Sequence, residues 1–130
     1  MAFSEALTAY EKALQRLAEV LEEPESAITR DAAIKRFEFT FELLWKSLQK
    51  FFRGQGITCN SPKNCLKEAF SYGLVEDNPM WLRMIDDRNL TVHTYNEALS
   101  IEIYIHLKDY MPLFNQVLQS LKDQKDSLNR

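Results

Sequence analysis

The run Leu99-Ser100-Ile101-Glu102-Ile103-Tyr104-Ile105-His106-Leu107-Lys108 decides the fold of this chain. Taken alone it reads as a strand, because Leu99, Ile101, Ile103, Ile105 and Leu107 alternate strictly with more polar neighbours. A strand needs a partner, and no second alternating run exists in the 130 residues. Downstream, Tyr110, Phe114, Val117 and Leu121 continue at spacings of three and four, the period of a helix. The segment from about Glu97 to Lys122 is therefore predicted to be one long helix, bent at Pro112. Read helically, the alternation spreads apolar residues over two faces, more than one bundle core uses. Either a second helix layer across a homodimer interface covers the excess, or the helix lies at the centre of a five-helix monomer.

Working outward, Phe3, Leu7, Tyr10, Leu14, Leu17 and Leu21 form one stripe of a first helix, closed off before Pro24. A second helix runs from near Ser26 to about Arg53, with Ile28, Phe37, Phe41, Leu44, Trp45, Leu48 and Phe52 along it and Gly54 and Gly56 to stop it. Ser61-Pro62 reads as a cap and first helical position, opening a short third helix that stops at Gly73. Asp77 or Asn78, followed by Pro79, restarts a helix that reaches at least Leu90. The β-branched residues Thr91, Val92 and Thr94 then weaken helix, which places a bend or break between Thr91 and Asn96.

The expected architecture is all-α: an up-and-down antiparallel bundle of four main helices plus a short one, forming a homodimer. One domain spans residues 1–130, with a core over about 3–121 and a frayed tail over 122–130. Three Gly and four Pro are too few for a many-stranded sandwich or barrel. A formal net charge of −3 argues against a protein that coats nucleic acid along its whole surface. A local exception is the stretch between Leu43 and Lys67, where Lys46, Lys50, Arg53, Lys63 and Lys67 face no acidic residue in sequence. It either meets phosphate or is an ordinary solvated patch. The acidic opening, with Glu5, Glu11, Glu19, Glu22, Glu23 and Glu25 against Lys12 and Arg16, reads as a solvated helix face.

No secretory leader and no long apolar run is present, so a soluble cytoplasmic protein without a membrane span is expected. Cys59 and Cys65 are accordingly read as a loop residue and a core residue rather than as a disulfide. The chain lacks a phosphate-cradling Gly-rich loop, a nucleophile elbow and metal-ligand spacing of His or Cys, so no metal and no cofactor are expected.

Polar and titratable side chains concentrate instead in Asp86-Asp87-Arg88-Asn89-Leu90-Thr91-Val92-His93-Thr94-Tyr95-Asn96. Metal-free cleavage of RNA needs a group that moves protons at the 2′-hydroxyl or the leaving oxygen, and a fixed cation for the phosphate. His93 and Arg88 are residue types suited to those roles. The spacing of Arg, His and Tyr at 88, 93 and 95 arises by chance with odds of roughly one in two hundred. On a straight helix Arg88 and Tyr95 would align and His93 would not, so an Arg–His pair requires the bend after Thr91 or a meeting across a dimer groove.

The run Arg88-Asn89-x-x-x-His93-x-Tyr95 resembles the motif of the HEPN superfamily in its HepT-like branch. The text from Ile28 to Lys46 resembles the long second helix of nucleotidyltransferase substrate-binding proteins, and the similarity extends from Phe3 to about Leu121. The resemblance implies a homodimeric helical bundle with its motifs near a shared cleft, paired with a small MNT-type nucleotidyltransferase. It also implies a metal-independent endoribonuclease toxin, in which the partner adenylylates the motif tyrosine. Carried onto this chain, Arg88 and His93 would be catalytic, Arg88 and Asn89 would bind phosphate, and Tyr95 would be the modified residue. The same family implies an alternative, a non-catalytic subunit that binds a nucleotide or other substrate for its nucleotidyltransferase partner.

Asp86 and Asp87 are supporting candidates, able to hold the Arg88 guanidinium or lend a carboxylate. Arg83 reads as a surface residue, His106 as an exposed or interface histidine, and Glu38 with Glu42 as a helix face. Trp45, Trp81 and the eight Phe are core residues before they are base-stacking platforms.

Overall fold

Most helices begin where the sequence supplies an acceptor for free N–H groups. In the computed structural model, which describes residues 1–129, α1 spans Phe3–Glu22, α2 Ala27–Gly54, α3 Pro62–Tyr72, α4 Met80–Leu90 and α5 Glu97–Leu128. A single 3₁₀ turn, Thr91–His93, separates the last two, and there is no strand among the described residues. Ser26 opens α2 with a reciprocal box: its Oγ accepts from the Thr29 N–H at 3.1 Å, while Thr29 Oγ1 accepts from the Ser26 N–H at 2.8 Å. Ser61 caps α3, with Pro62 in the first turn, and Asn96 caps α5 through the Leu99 N–H at 3.2 Å. Gly73 ends α3 at φ 87°, a left-handed conformation that costs glycine nothing.

The long helices α1, α2 and α5 form the body, with α1 packed most extensively on α2. Tyr10, Phe37, Phe41, Tyr110 and Phe114 meet at its centre, fully buried. Phe37 stacks on Tyr110 at a centroid distance of 5.9 Å and meets Phe114 edge-on at 6.2 Å. Burying each phenylalanine is worth about 1.5–3 kcal/mol before packing is counted. The one polar atom in this cluster's reach from α1, Tyr10 Oη, donates to the Phe114 carbonyl at 2.6 Å.

The alternating run is helical, and its five apolar residues part company. Ile103 and Leu107 are buried with Tyr110, Phe114, Val117 and Leu121, while Ile105 is 64% exposed. The helix also passes unbroken through Pro112.

Two expectations need correction. First, α5 continues to Leu128 instead of fraying from residue 122, because Gln119 bonds Asp123 at 2.9 Å and Lys122 pairs with Glu11 of α1. The final residue of the expected tail, Arg130, lies outside the described residues. Second, Cys59 and Cys65 form a disulfide, with Cα atoms 5.1 Å apart. Cys59 is indeed in the α2–α3 loop and Cys65 in α3, but the loop doubles back so that both buried sulfurs meet. The sequence argument rested on cellular compartment and took no account of this turn.

Candidate functional site

The polar stretch sits where α4 ends. Threonine hydroxyls that bond backbone carbonyls three residues back compete with the helical ladder. Thr91 Oγ1 bonds the Arg88 carbonyl at 2.7 Å and Thr94 Oγ1 bonds the Thr91 carbonyl at 2.9 Å. The result is the 3₁₀ turn Thr91–His93 and a reversal into α5, closed by the Asn96 N–H on the His93 carbonyl at 3.0 Å. The bend expected between Thr91 and Asn96 is there.

Arg88 lies in the last turn of α4 and reaches across to α2. Its Nη2 pairs with Glu42 Oε2 at 2.9 Å, and its guanidinium lies 5.7 Å from the centre of the Phe41 ring. Asn89 Oδ1 sits 3.5 Å from Arg88 Nη1. Glu42 is itself built in: its Oε2 also accepts from Trp45 Nε1 at 3.0 Å, and its Oε1 meets Lys46 Nζ at 3.4 Å. Burial pushes the Glu42 carboxyl up, but hydrogen bonds from Trp45 and Lys46 and the charges of Lys46 and Arg88 outweigh it. The carboxyl therefore titrates below its ordinary value.

His93 and Tyr95 sit on the turn, both exposed, with rings edge to face at 6.0 Å. Tyr95 is 86% exposed. Within one chain Arg88 thus meets its neighbour Asn89 in α4, and the turn sets His93 beside Tyr95. Among the described residues no hydrogen bond or ion pair joins Arg88 to His93.

Among the described residues neither supporting aspartate forms a hydrogen bond or ion pair with the Arg88 guanidinium. Asp86 is exposed, and Asp87 is 5% exposed and faces α5. Successive helical residues diverge by about 100°, so when Asp87 points at α5 its neighbour Arg88 points at α2. Asp87 Oδ2 meets His106 Nδ1 at 2.8 Å and accepts a short hydrogen bond from Tyr110 Oη. Arg83 Nε donates to the same Tyr110 oxygen at 3.0 Å and its Nη2 pairs with Asp109 at 2.9 Å. Burial, then the bond to Asp87, pushes the Tyr110 hydroxyl well above its ordinary range. His106 and Arg83 are thus not simple surface residues: they belong to a polar brace that locks α4 to α5.

Sequence reasoning missed Glu42 as the partner of Arg88. The two lie on different helices, 46 positions apart, and no local spacing signals such a pair. Among the described residues no three His, Cys, Asp or Glu side chains come together as a metal site requires, and no helix is long and apolar enough to cross a membrane.

Residues 5–123 match the family described as nucleotidyltransferase substrate binding protein like. A relative in Haemophilus influenzae, described as a probable ribonuclease HepT, is 29% identical over 97 residues, covering 71% of this chain and 66% of that protein. A solved structure from Thermus thermophilus is 47% identical, with a TM-score of 0.81 over 86% of this chain and 98% of that one. A second, from Haemophilus influenzae and described as the fold of a substrate binding domain of a nucleotidyltransferase, has a TM-score of 0.67 at 24% identity, covering 92% and 96%. The match spans nearly every helix that builds the site, and the chain belongs to the nucleotidyltransferase substrate binding protein like family.

Proposed function

We infer that this protein is a metal-independent endoribonuclease of the HepT type, the toxin of a pair whose nucleotidyltransferase partner silences it. The observation that carries this is the turn at the end of α4, which presents His93 and Tyr95 to solvent just after a helix whose Arg88 is directed by Glu42. The description of the Haemophilus relative as a probable ribonuclease supports it further.

In this reaction the His93 imidazole takes the proton of a ribose 2′-hydroxyl. The 2′-oxygen then bonds to the adjacent phosphorus, the bond from phosphorus to the 5′-oxygen breaks, and that oxygen takes a proton from water as it leaves. Arg88 and Asn89 hold the phosphate oxygens while charge builds on them. Because no hydrogen bond or ion pair joins Arg88 to His93 among the described residues, the complete site forms in a homodimer, where one copy's turn faces the other's. Tyr95 is open to adenylylation, its oxygen bonding to the α-phosphorus of ATP as pyrophosphate departs.

The test is cleavage of RNA by purified, unmodified protein in excess chelator. Wild type should cut and His93→Ala should be inactive; equal cutting by both, or by neither, ends the ribonuclease assignment. Mass measurement after co-expression with the partner should show AMP additions that vanish in Tyr95→Phe.

A second reading is a non-catalytic subunit that binds a nucleotide or RNA for its partner. The ion pair between Arg88 and Glu42 favours it, since a neutralised arginine is a weaker stabiliser of transition-state charge. Phosphate-dependent binding without chelator-resistant cleavage would be its signature.

A further inference from the structure

A cluster of cations in this acidic protein lies outside the motif. Lys12 and Arg16 of α1 and Lys35 and Arg36 of α2 converge on a groove of about 840 Å³ between the two helices, lined by only one acidic residue, Glu19. Ala9, Ala13 and Ala32 also line it, together with Phe39, which is 54% exposed. The guanidinium of Arg36 is anchored there, its Nη1 donating to the Arg16 carbonyl at 2.7 Å. Lys35 lies 5.4 Å from the centre of the Phe39 ring and pairs with Glu38 at 3.3 Å. Lys12, Arg16 and Arg36 have no ion pair among the described residues.

The groove and the candidate site share one face of α2. At about 100° per residue, Lys35, Phe39, Glu42 and Lys46 fall within an arc of about 60°. A chain of phosphates leaving Arg88, which is held by Glu42, therefore meets Lys46 on one side and Phe39 and Lys35 on the other. Cations tracking a backbone beside an exposed ring are the two elements of a single-strand binding path, one for phosphates and one for a base. An acidic protein helix fits less well, because it needs a row of large apolar side chains and the groove offers only Phe39 and Leu43 beside its alanines.

We propose that the α1–α2 groove binds single-stranded RNA, its phosphates on Lys12, Arg16 and Arg36 and a base on Phe39, as an extension of the site at Arg88. The proposal rests on the ribonuclease assignment for its substrate but stands on different residues.

The test is binding of fluorescein-labelled decauridylate to the full chain carrying His93→Ala, which removes turnover, read by anisotropy over a range of salt. Lys12→Glu with Arg16→Glu should raise Kd by roughly tenfold and flatten the log Kd against log salt slope by about 1.4, since each lost single-strand phosphate contact removes about 0.7. Phe39→Ala should weaken binding with the slope unchanged. If the same charge reversal at Lys63 and Lys67 of α3 costs as much as the groove pair, the proposal is overturned. It is equally overturned if poly-glutamate of matched charge displaces the oligonucleotide as well as unlabelled decauridylate does, which would assign the groove to an acidic protein segment. The two assignments fail separately. His93-dependent cleavage with binding indifferent to Lys12 and Arg16 sinks the groove alone, whereas groove-dependent binding without His93-dependent cleavage sinks the ribonuclease alone.

Discussion

Arg88 serves two masters that the sequence could not show together. The proposed function gives it a phosphate to hold, while Glu42 from another helix pairs with it in the structure. A partly exposed pair of this kind is worth about 0.2–1 kcal/mol, so phosphate can displace the carboxylate. Glu42→Gln removes that competitor with little change of shape, and decauridylate should bind about two- to fivefold tighter in the His93→Ala background at low salt. Unchanged affinity would contradict this. The pH dependence has a definite sign. Because the Glu42 pKa is lowered in the fold, the pair is present above the ordinary carboxyl value of 4.5 and is lost as pH falls through the lowered one. The advantage of Glu42→Gln over wild type should therefore fade under acid conditions.

Among the elements, the α2–α3 connection departs most from expectation. A disulfide across a short loop constrains the denatured chain, and for residues six apart the loop-entropy estimate is about 2 kcal/mol. Reductant should lower the stability measured by urea unfolding by about that amount; an unmoved midpoint would show that the bridge does not restrict the unfolded ensemble. The α4–α5 turn behaved as its residues foretold. Thr91 and Thr94 end the helix through their own hydroxyls, and Asn96 restarts it. Local chemistry of this sort is readable from a single chain because donor and acceptor lie within four residues of each other.

For the whole molecule, the open question raised by α5 is what covers its second face. Ile105 is 64% exposed, and Leu82, Leu90 and Val92 add exposed apolar surface on α4 and the turn. Scattered apolar residues are ordinary, but here Leu90 and Val92 stand next to the candidate residues Asn89 and His93. The homodimer proposed above would place this surface between two copies. Sedimentation equilibrium should find a dimer at micromolar concentration for wild type and a monomer with unaltered helical circular dichroism for Ile105→Glu. A wild-type monomer would rule out the shared cleft.

What the sequence determined by itself was everything governed by short range: the helical period under the alternating run at Leu99, the serine and asparagine caps, the stop at Gly73, and the bend after Thr91 that exposes His93 and Tyr95. The tertiary structure alone decided which polar groups meet. It paired Arg88 with Glu42, buried Asp87 against His106 and Tyr110, joined Cys59 to Cys65, and gathered Lys12, Arg16, Lys35 and Arg36 into one groove. The physical reason is the same in each case. Helix period and capping act over three or four residues, whereas a contact between helices depends on how each has rotated to bury its apolar stripe, and that rotation belongs to the packed bundle.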